Sequence, residues 1–353
     1  MTKNIAIIGC GKIFAKHYEA IKLQEKKKKL KLIAVCDKDK KILNKINLKN
    51  VNKYNNIRQL FKNEKIDIIS ILTPSGFHYQ DALKCLGKVK SIIIEKPVTL
   101  KYSHAQKLLK LSKKKGTNIH VVLQNRFNDP IIELKKAIEN NLFGKLFLAT
   151  VRLRWSRGLN YYTQSKWRGT WELDGGVVAN QSSHFIDLFQ WLFGMPTKVF
   201  SRIRQMHKIK KEVEDTSLSI FEYKENKKLG LIEATNAIRP HNLEGSISIV
   251  GEKGTVIVGG MSGEKLDKWT LKKNNKITKL LKDKFKKKNG HIKFYEYMIN
   301  NLNNESKFLS LEEGMKSLKI INSIYKSSLK NMPIDVKNVK DSFLGNNKKK
   351  NES

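Results

Sequence analysis

The run Gly9-Cys10-Gly11-Lys12-Ile13 lies between a short apolar stretch, Ile5–Ile8, and a stretch of helical spacing, Ile13–Leu23. A strand that passes into a helix through closely spaced glycines is the form of a dinucleotide-binding turn. Gly9 allows the tight turn. Gly11 lets backbone approach a pyrophosphate, which rests on the unpaired amides of the helix start, at Lys12 and Ile13. The third glycine position of the fingerprint is Phe14, a departure that places a bulky side chain where helix and strand pack closely. A purely structural glycine turn is the plainer reading. Asp37 ends the next apolar run, Leu32–Cys36. A carboxylate there can accept from adenosine ribose hydroxyls and repels a 2′-phosphate, which favours NAD over NADP. Its plainer role is a helix N-cap. Lys38 and Lys40 stand close enough to weaken the preference.

Two further groups follow apolar runs. Thr73-Pro74 comes after Ile66–Leu72, and Glu95-Lys96-Pro97 after Ile92–Ile94. Strand ends of this kind are where an open parallel sheet binds its ligands. A lysine beside a nicotinamide can give or relay a proton if its surroundings lower its pKa from about 10.4. On spacing alone such a lysine is more often a surface residue. Farther on, Gly175-Gly176 leads to Asn180, Gln181, His184 and Asp187. Helical spacing puts Asn180, His184 and Asp187 on one face. A histidine there can take the proton of a sugar hydroxyl, with Asp187 orienting it or bonding to backbone. A core or capping histidine is the bland alternative. Between these groups, Arg157 and Arg168 could clamp a carboxylate or phosphate. The aromatics of Tyr161-Tyr162 and Trp167 could cover a sugar or base.

The elements that must hold these residues change character along the chain. Through residue 123, short β-branched runs (Ile5–Ile8, Leu32–Cys36, Ile66–Leu72, Ile92–Ile94, Ile119–Leu123) alternate with helical stretches. That alternation predicts a doubly wound parallel sheet, an α/β Rossmann domain over residues 1–123. After residue 124, strands predominate: 146–155, 198–205, 216–223, 229–236, 246–250 and 255–258. Helices are expected at 130–140, 184–193, 292–302 and 311–328. This is an α+β domain on a largely antiparallel open sheet over residues 124–337, followed by a frayed polar tail at 338–353.

Composition sets the bounds. The chain has 353 residues, enough for two domains with sizeable cores. No apolar run approaches the roughly 18–20 residues of a membrane helix, and no signal peptide is evident. Three cysteines, an odd number without Cys-x-x-Cys spacing, read as buried thiols in a reducing compartment. The expected location is therefore cytoplasmic, without a membrane partner. The eight histidines are scattered without metal-ligand spacing, so no metal is expected. A net charge of +38 suggests a polyanion partner at first sight. The excess is overwhelmingly lysine in a chain also rich in Asn and Ile, as biased codon usage produces. It is spread over clusters at Lys26–Lys29, Lys113–Lys115, Lys286–Lys288 and Lys348–Lys350, which look like helix ends, loops or tail. Nucleic acid is not the expected partner.

Taken together these residues resemble the Gfo/Idh/MocA oxidoreductase family over nearly the whole chain. The most specific features are Glu95-Lys96-Pro97 and the Gly-Gly…His184…Asp187 segment. The resemblance implies that Lys96 is catalytic, that His184 is its acid/base partner, and that the Lys96–Pro97 bond is cis. It implies a cofactor set of Gly9, Gly11, Lys12, Ile13, Asp37, Thr73, Pro74, His78, Glu95, Lys96, Gln124 and Arg126, with NAD as cofactor. Asn180 stands where polyol-oxidising members carry an aspartate. With Arg157, Tyr161, Trp167, Arg168 and Gln181 it is similar to the UDP-N-acetylglucosaminuronate 3-dehydrogenase branch of surface-polysaccharide biosynthesis. The implied substrate is a sugar or nucleotide-linked sugar oxidised at a ring hydroxyl, C3 in that branch. The implied assembly is a homodimer or homotetramer. Another sugar or polyol dehydrogenase, a ketosugar reductase, and a non-catalytic cofactor- or polyanion-binding protein stay open on the sequence.

Overall fold

The computed structural model describes residues 1–209, 211–224, 227–272, 289–302 and 307–346. Two compact units divide them. The first comprises the described residues within 1–99, 103–124 and 289–315, and the second those within 100–102, 125–288 and 316–353. The first unit's second segment ends at residue 124. The units do not simply follow one another along the chain, because residues 289–315 belong to the first.

In the first unit, β1 (Lys3–Ile8), β2 (Leu30–Cys36), β3 (Asn52–Tyr54), β4 (Ile68–Ile71), β5 (Ser91–Ile94) and β6 (Asn118–Val121) form a parallel sheet ordered β3-β2-β1-β4-β5-β6. Chain order reverses between β1 and β4, which is the switch point where such sheets bind ligands. Both faces are covered, so β4 and β5 are apolar apart from Ser70 and Ser91 and wholly buried. Helix α1 (Phe14–Lys26) buries His17, Ala20, Ile21 and Gln24, an i, i+3, i+4, i+7 stripe with a polar group at each end. Helices α2 (Lys40–Lys45) and α3 (Ile57–Asn63) start on Asp39 and Asn56, whose side chains accept from the amides two residues on. The short β3 and α3 lie in a polar stretch that the periodicity did not mark. Helices α4 (His78–Cys85) and α5 (Tyr102–Lys115) follow β4 and β5. The clusters Lys26–Lys29 and Lys113–Lys115 fall at the ends of α1 and α5, as expected, whereas Lys286–Lys288 and Lys348–Lys350 lie outside the described residues.

The second unit is built on an eight-stranded sheet. Its strands are β7 (Leu146–Arg154), β8 (Lys198–Arg204), β9 (Thr216–Glu222), β10 (Leu229–Thr235), β11 (Glu244–Gly251), β12 (Gly254–Gly259), β13 (Lys265–Leu271) and β14 (Ile334–Asp335), ordered β13-β12-β11-β7-β10-β9-β8-β14. Its pairings are antiparallel except β7 with β10. One face packs a core that includes Phe185, Phe189 and Leu188 of a helix at Ser183–Phe193 and Ile320, Ile321, Ile324 and Tyr325 of a helix at Leu311–Lys330. Strand β9 alternates buried Ser217, Ser219 and Phe221 with exposed Leu218, Ile220 and Glu222. The sheet therefore has one open face.

The expected tail is corrected in part. Residues 338–346 pack into the second unit: Leu344 is buried, the Phe343 ring meets Trp171 edge-on at 4.6 Å, and the Gly345 amide donates to the Trp171 carbonyl at 2.9 Å. Two apolar side chains within a polar stretch are enough to anchor it. Residues 347–353 lie outside the described residues. None of the described helices is long and apolar enough to cross a membrane.

Candidate functional site

The glycine turn is fixed by close approach. Gly9 has φ +94°, and a Cβ there would lie 2.6 Å from the Thr73 amide nitrogen. A Cβ at Gly11 would meet nothing within 4 Å, so this residue borders open space. Helix α1 begins with Ile13 as N-cap, without a side-chain cap and without a carboxylate in its first turn. An uncapped helix start beside open backbone fits the pyrophosphate of a dinucleotide. Phe14 does not obstruct it: the ring turns along the helix and stacks on Tyr18, centroids 5.9 Å apart.

Asp37 braces this turn. Its Oδ2 accepts from the Cys10 amide at 2.8 Å and its Oδ1 from the Asp39 amide at 2.9 Å. Each oxygen keeps acceptor capacity for a ribose hydroxyl. The helix cap is Asp39, not Asp37. The competing Lys38 points its ammonium over the Phe77 ring, 4.4 Å from the centroid.

The ends of β4 and β5 are tied together. His78 is buried, with Nδ1 2.8 Å from the Pro97 carbonyl and Nε2 2.8 Å from the Thr73 carbonyl. The histidine implied at the cofactor lies between the two strand ends, where its neutral ring donates to one of these carbonyls. Burial holds its pKa below the usual value against the pull of those two carbonyls. Thr73 Oγ1 donates to Asp81 at 3.0 Å, and Pro74 opens the turn Ser75–Phe77.

Glu95 is the hub of a buried network. Its Oε1 lies 2.9 Å from His17 Nε2 and 3.5 Å from His291 Nε2, and its Oε2 accepts from the Lys96 amide at 3.0 Å. His17 Nδ1 meets Tyr295 Oη at 2.8 Å, which in turn meets Ser70 Oγ at 3.1 Å. Burial alone would raise the Glu95 pKa; the two imidazoles win and hold it well below the carboxylate range. Burial correspondingly lowers His17. His17, Glu95 and His291 bring their ligand atoms within 4.8 Å of one another, which corrects the expectation that no histidines gather. The 2.9 Å His17–Glu95 separation is a hydrogen-bond length, and the carboxylate already serves the Lys96 amide. The trio therefore reads as a proton-bonded brace for the strand end. The Lys96–Pro97 bond is cis, as the resemblance implied. Lys96 is half-buried within a stretch, residues 91–100, that is otherwise buried. Gln124 closes this unit's set, at the start of a 3₁₀ turn beside Gly290.

In the second unit the substrate candidates converge on Tyr161. Its hydroxyl accepts from Gln181 Nε2 at 2.9 Å and Asn180 Nδ2 at 3.4 Å. The guanidinium of Arg168 lies over its ring at 4.4 Å and that of Arg157 at 5.4 Å. Trp167 and Trp155 flank them, 4.7 Å from Arg168 and 4.9 Å from Arg157. Burial lowers the Arg157 pKa, and Arg168 adds repulsion. Two cations held on one aromatic ring suit an anionic ligand. Asn180 also donates to Asp174, which accepts from the Gly169 amide at 2.7 Å.

The expected helical face is broken. Residues Val177–Gln181 form a π-helical turn, and the regular helix begins at Ser183. The wider turn leaves Asn180 and His184 half-buried while Asp187 points inward. Asp187 accepts from Arg126 Nε at 2.8 Å and NH2 at 2.7 Å, and from Gln190 at 3.2 Å. It therefore neither orients His184 nor bonds to backbone. The Arg126 side chain, expected at the cofactor, is wholly buried in this pair.

Both halves of the chain match known proteins. Residues 3–123 match the Gfo/Idh/MocA oxidoreductase family's NAD-binding Rossmann fold, and residues 135–336 its C-terminal α/β domain. Two solved structures align over 95% of the chain at TM-score 0.87 and 30% identity: the WlbA dehydrogenases of Bordetella pertussis and Chromobacterium violaceum, covered over 99% and 96% of their lengths. Both were crystallised in complex with NADH and UDP-GlcNAcA. Among curated relatives, scyllo-inositol 2-dehydrogenase (NADP(+)) IolW of Bacillus subtilis is 25% identical over 42% of this chain and 40% of its own length. The matches span about half the length of the curated relatives. Fold and glycine turn define an oxidoreductase with an NAD-binding domain. The chain belongs to the Gfo/Idh/MocA oxidoreductase family.

Proposed function

We propose that this protein is a cytoplasmic NAD-dependent dehydrogenase that oxidises a ring hydroxyl, at C3, of a nucleotide-linked sugar such as UDP-N-acetylglucosaminuronate, for surface-polysaccharide biosynthesis. The observation that carries the reading is the full-length likeness to the two WlbA dehydrogenases that bind UDP-GlcNAcA and NADH. Arg157 and Arg168 over Tyr161 support it, because an acidic nucleotide sugar brings both carboxylate and diphosphate.

Bound NAD supplies the hydride acceptor. Backbone of Gly9–Ile13 holds the pyrophosphate, and Asp37 takes the adenosine ribose hydroxyls. Lys96 and His184 serve as the acid/base pair that removes the hydroxyl proton as its carbon loses hydride. Glu95 steadies Lys96 through the latter's amide. Asn180, Gln181 and Tyr161 receive the sugar hydroxyls, with Trp167 beside them. The open sheet face supports a homodimer or homotetramer: Leu148, Leu218, Ile220 and Leu229 are exposed on it.

A substrate panel tests the proposal. With NAD present, UDP-GlcNAcA should give a product two hydrogens lighter by mass spectrometry. UDP-N-acetylglucosamine, which keeps the diphosphate but lacks the carboxylate, and inositol, which lacks both, should react far more slowly. Equal rates on all three would remove the assigned role of the two arginines.

A further inference from the structure

The π-helical turn that carries Asn180 and Gln181 has an unusual support. The first amides of any helical segment lack intrahelical partners. Here four consecutive amides find them outside the segment. Gly176 N and Ala179 N donate to Tyr325 Oη at 3.4 and 3.2 Å. Val178 N donates to Glu214 Oε1 at 3.0 Å, and Val177 N to the Glu214 carbonyl at 3.3 Å. The two side chains are joined, since Tyr325 Oη donates to Glu214 Oε1 at 2.9 Å.

We infer that Glu214 and Tyr325 are positioning residues, a buried clasp that holds the turn Val177–Gln181 so that Asn180 and Gln181 meet the sugar. The inference rests on the reading of Asn180 and Gln181 as sugar-binding. It also accounts for the glycine pair before the turn. A Cβ at Gly176 would be driven into the Glu214 carboxyl, and one at Gly175, which has φ +81°, would sit 2.6 Å from the Ala179 Cβ. Gly176 thus leaves the space the Glu214 carboxyl occupies, and Gly175 the room for the turn to fold back on Ala179. The carboxyl is wholly buried, and its Oε2 has no hydrogen-bond partner among the described residues. The adjacent Asp215 raises the cost of a charge on Glu214, and the Lys211 ammonium holds Asp215 ionised at 2.7 Å. Among the described residues no cation pairs with Glu214, so it serves as a neutral acid, for which glutamine is a close substitute.

The test uses the full chain and two readouts. Hydrogen exchange of a peptide covering residues 176–181 reports the clasp, and steady-state kinetics with UDP-GlcNAcA report its consequence. Tyr325→Phe and Glu214→Ala should accelerate exchange by about tenfold, the scale of one lost buried hydrogen bond. They should raise KM or lower kcat for the sugar by a similar factor while leaving NADH binding unchanged. Glu214→Gln should restore both readouts to within about threefold of wild type. Unchanged exchange in Tyr325→Phe and Glu214→Ala overturns the clasp. Faster exchange with unaltered sugar kinetics overturns the positioning role. If wild type fails to turn over the sugar at all, the functional reading fails, and the exchange data still judge the clasp.

Discussion

Arg126 and Asp187 face each other in a buried bidentate pair, Nε to Oδ2 at 2.8 Å and NH2 to Oδ1 at 2.7 Å, with Trp191 5.1 Å from the guanidinium. An ion pair this enclosed is costly to break from one side. Asp187→Ala should destabilise the protein by about 3–5 kcal/mol, because it strands a buried guanidinium. The double variant Arg126→Met/Asp187→Leu should recover much of that loss. Thermal unfolding of the three proteins checks the sign and order.

Glu214 predicts a pH dependence of stability. Burial pushes its carboxyl up to about 8, with Asp215 adding repulsion. An unfolded glutamate titrates near 4.3. Between these values the folded chain binds a proton that the unfolded chain does not. This group's contribution is therefore fully present below the unfolded pKa and is lost as pH rises through the folded one, by about 1.4 kcal/mol per pH unit. Glu214→Gln removes the term. Its melting temperature relative to wild type should climb from about pH 5 to pH 8 and then level off. A flat difference would show that Glu214 is already ionised.

Asp37, proposed to take the adenosine ribose hydroxyls, also braces the glycine turn through the Cys10 amide. Asp37→Ser should weaken NAD binding by about tenfold, the loss of a charge-assisted hydrogen bond, and should narrow the gap to NADP. Fluorescence titration with NADH and NADPH reads both. Should the two affinities fall equally, Asp37 only braces Cys10.

The open sheet face predicts self-association. On β9, Leu218 is 54% exposed and Ile220 52% exposed, with Leu231 and Phe200 flanking Ile220 in register. Leu218→Lys/Ile220→Lys should convert a dimer or tetramer to monomer by light scattering, with the melting temperature little changed. A monomeric wild type would contradict this role for the face.

Much of this architecture was legible because its signals are local. Runs such as Ile5–Ile8 and Ile92–Ile94 can only be buried strands, and the turn at Gly9–Gly11 follows from the strand–helix junction. What escaped depends on distant partners. His17 reads as one more helical residue until Glu95, His291 and Tyr295 close around it. Glu214 lies in a polar loop, and nothing nearby in sequence marks it as the partner of Val178. Helical spacing sets Asp187 beside His184 or backbone, and the resemblance sets Arg126 at the cofactor, but the pair the two side chains make across 61 residues has no local signal. The polar tail concealed Phe343 and Leu344, two residues too few to make a periodic pattern.

In the proposed reaction Lys96 and His184 carry hydride-coupled proton transfer on a nucleotide sugar. The most direct measurement is single-turnover NADH formation at saturating NAD and UDP-GlcNAcA, for wild type, Lys96→Met and His184→Asn. Each variant should lose at least about 100-fold in rate, the lower range for acid/base catalysis, while still binding NADH. Wild-type rates in both variants would rule out this acid/base pair.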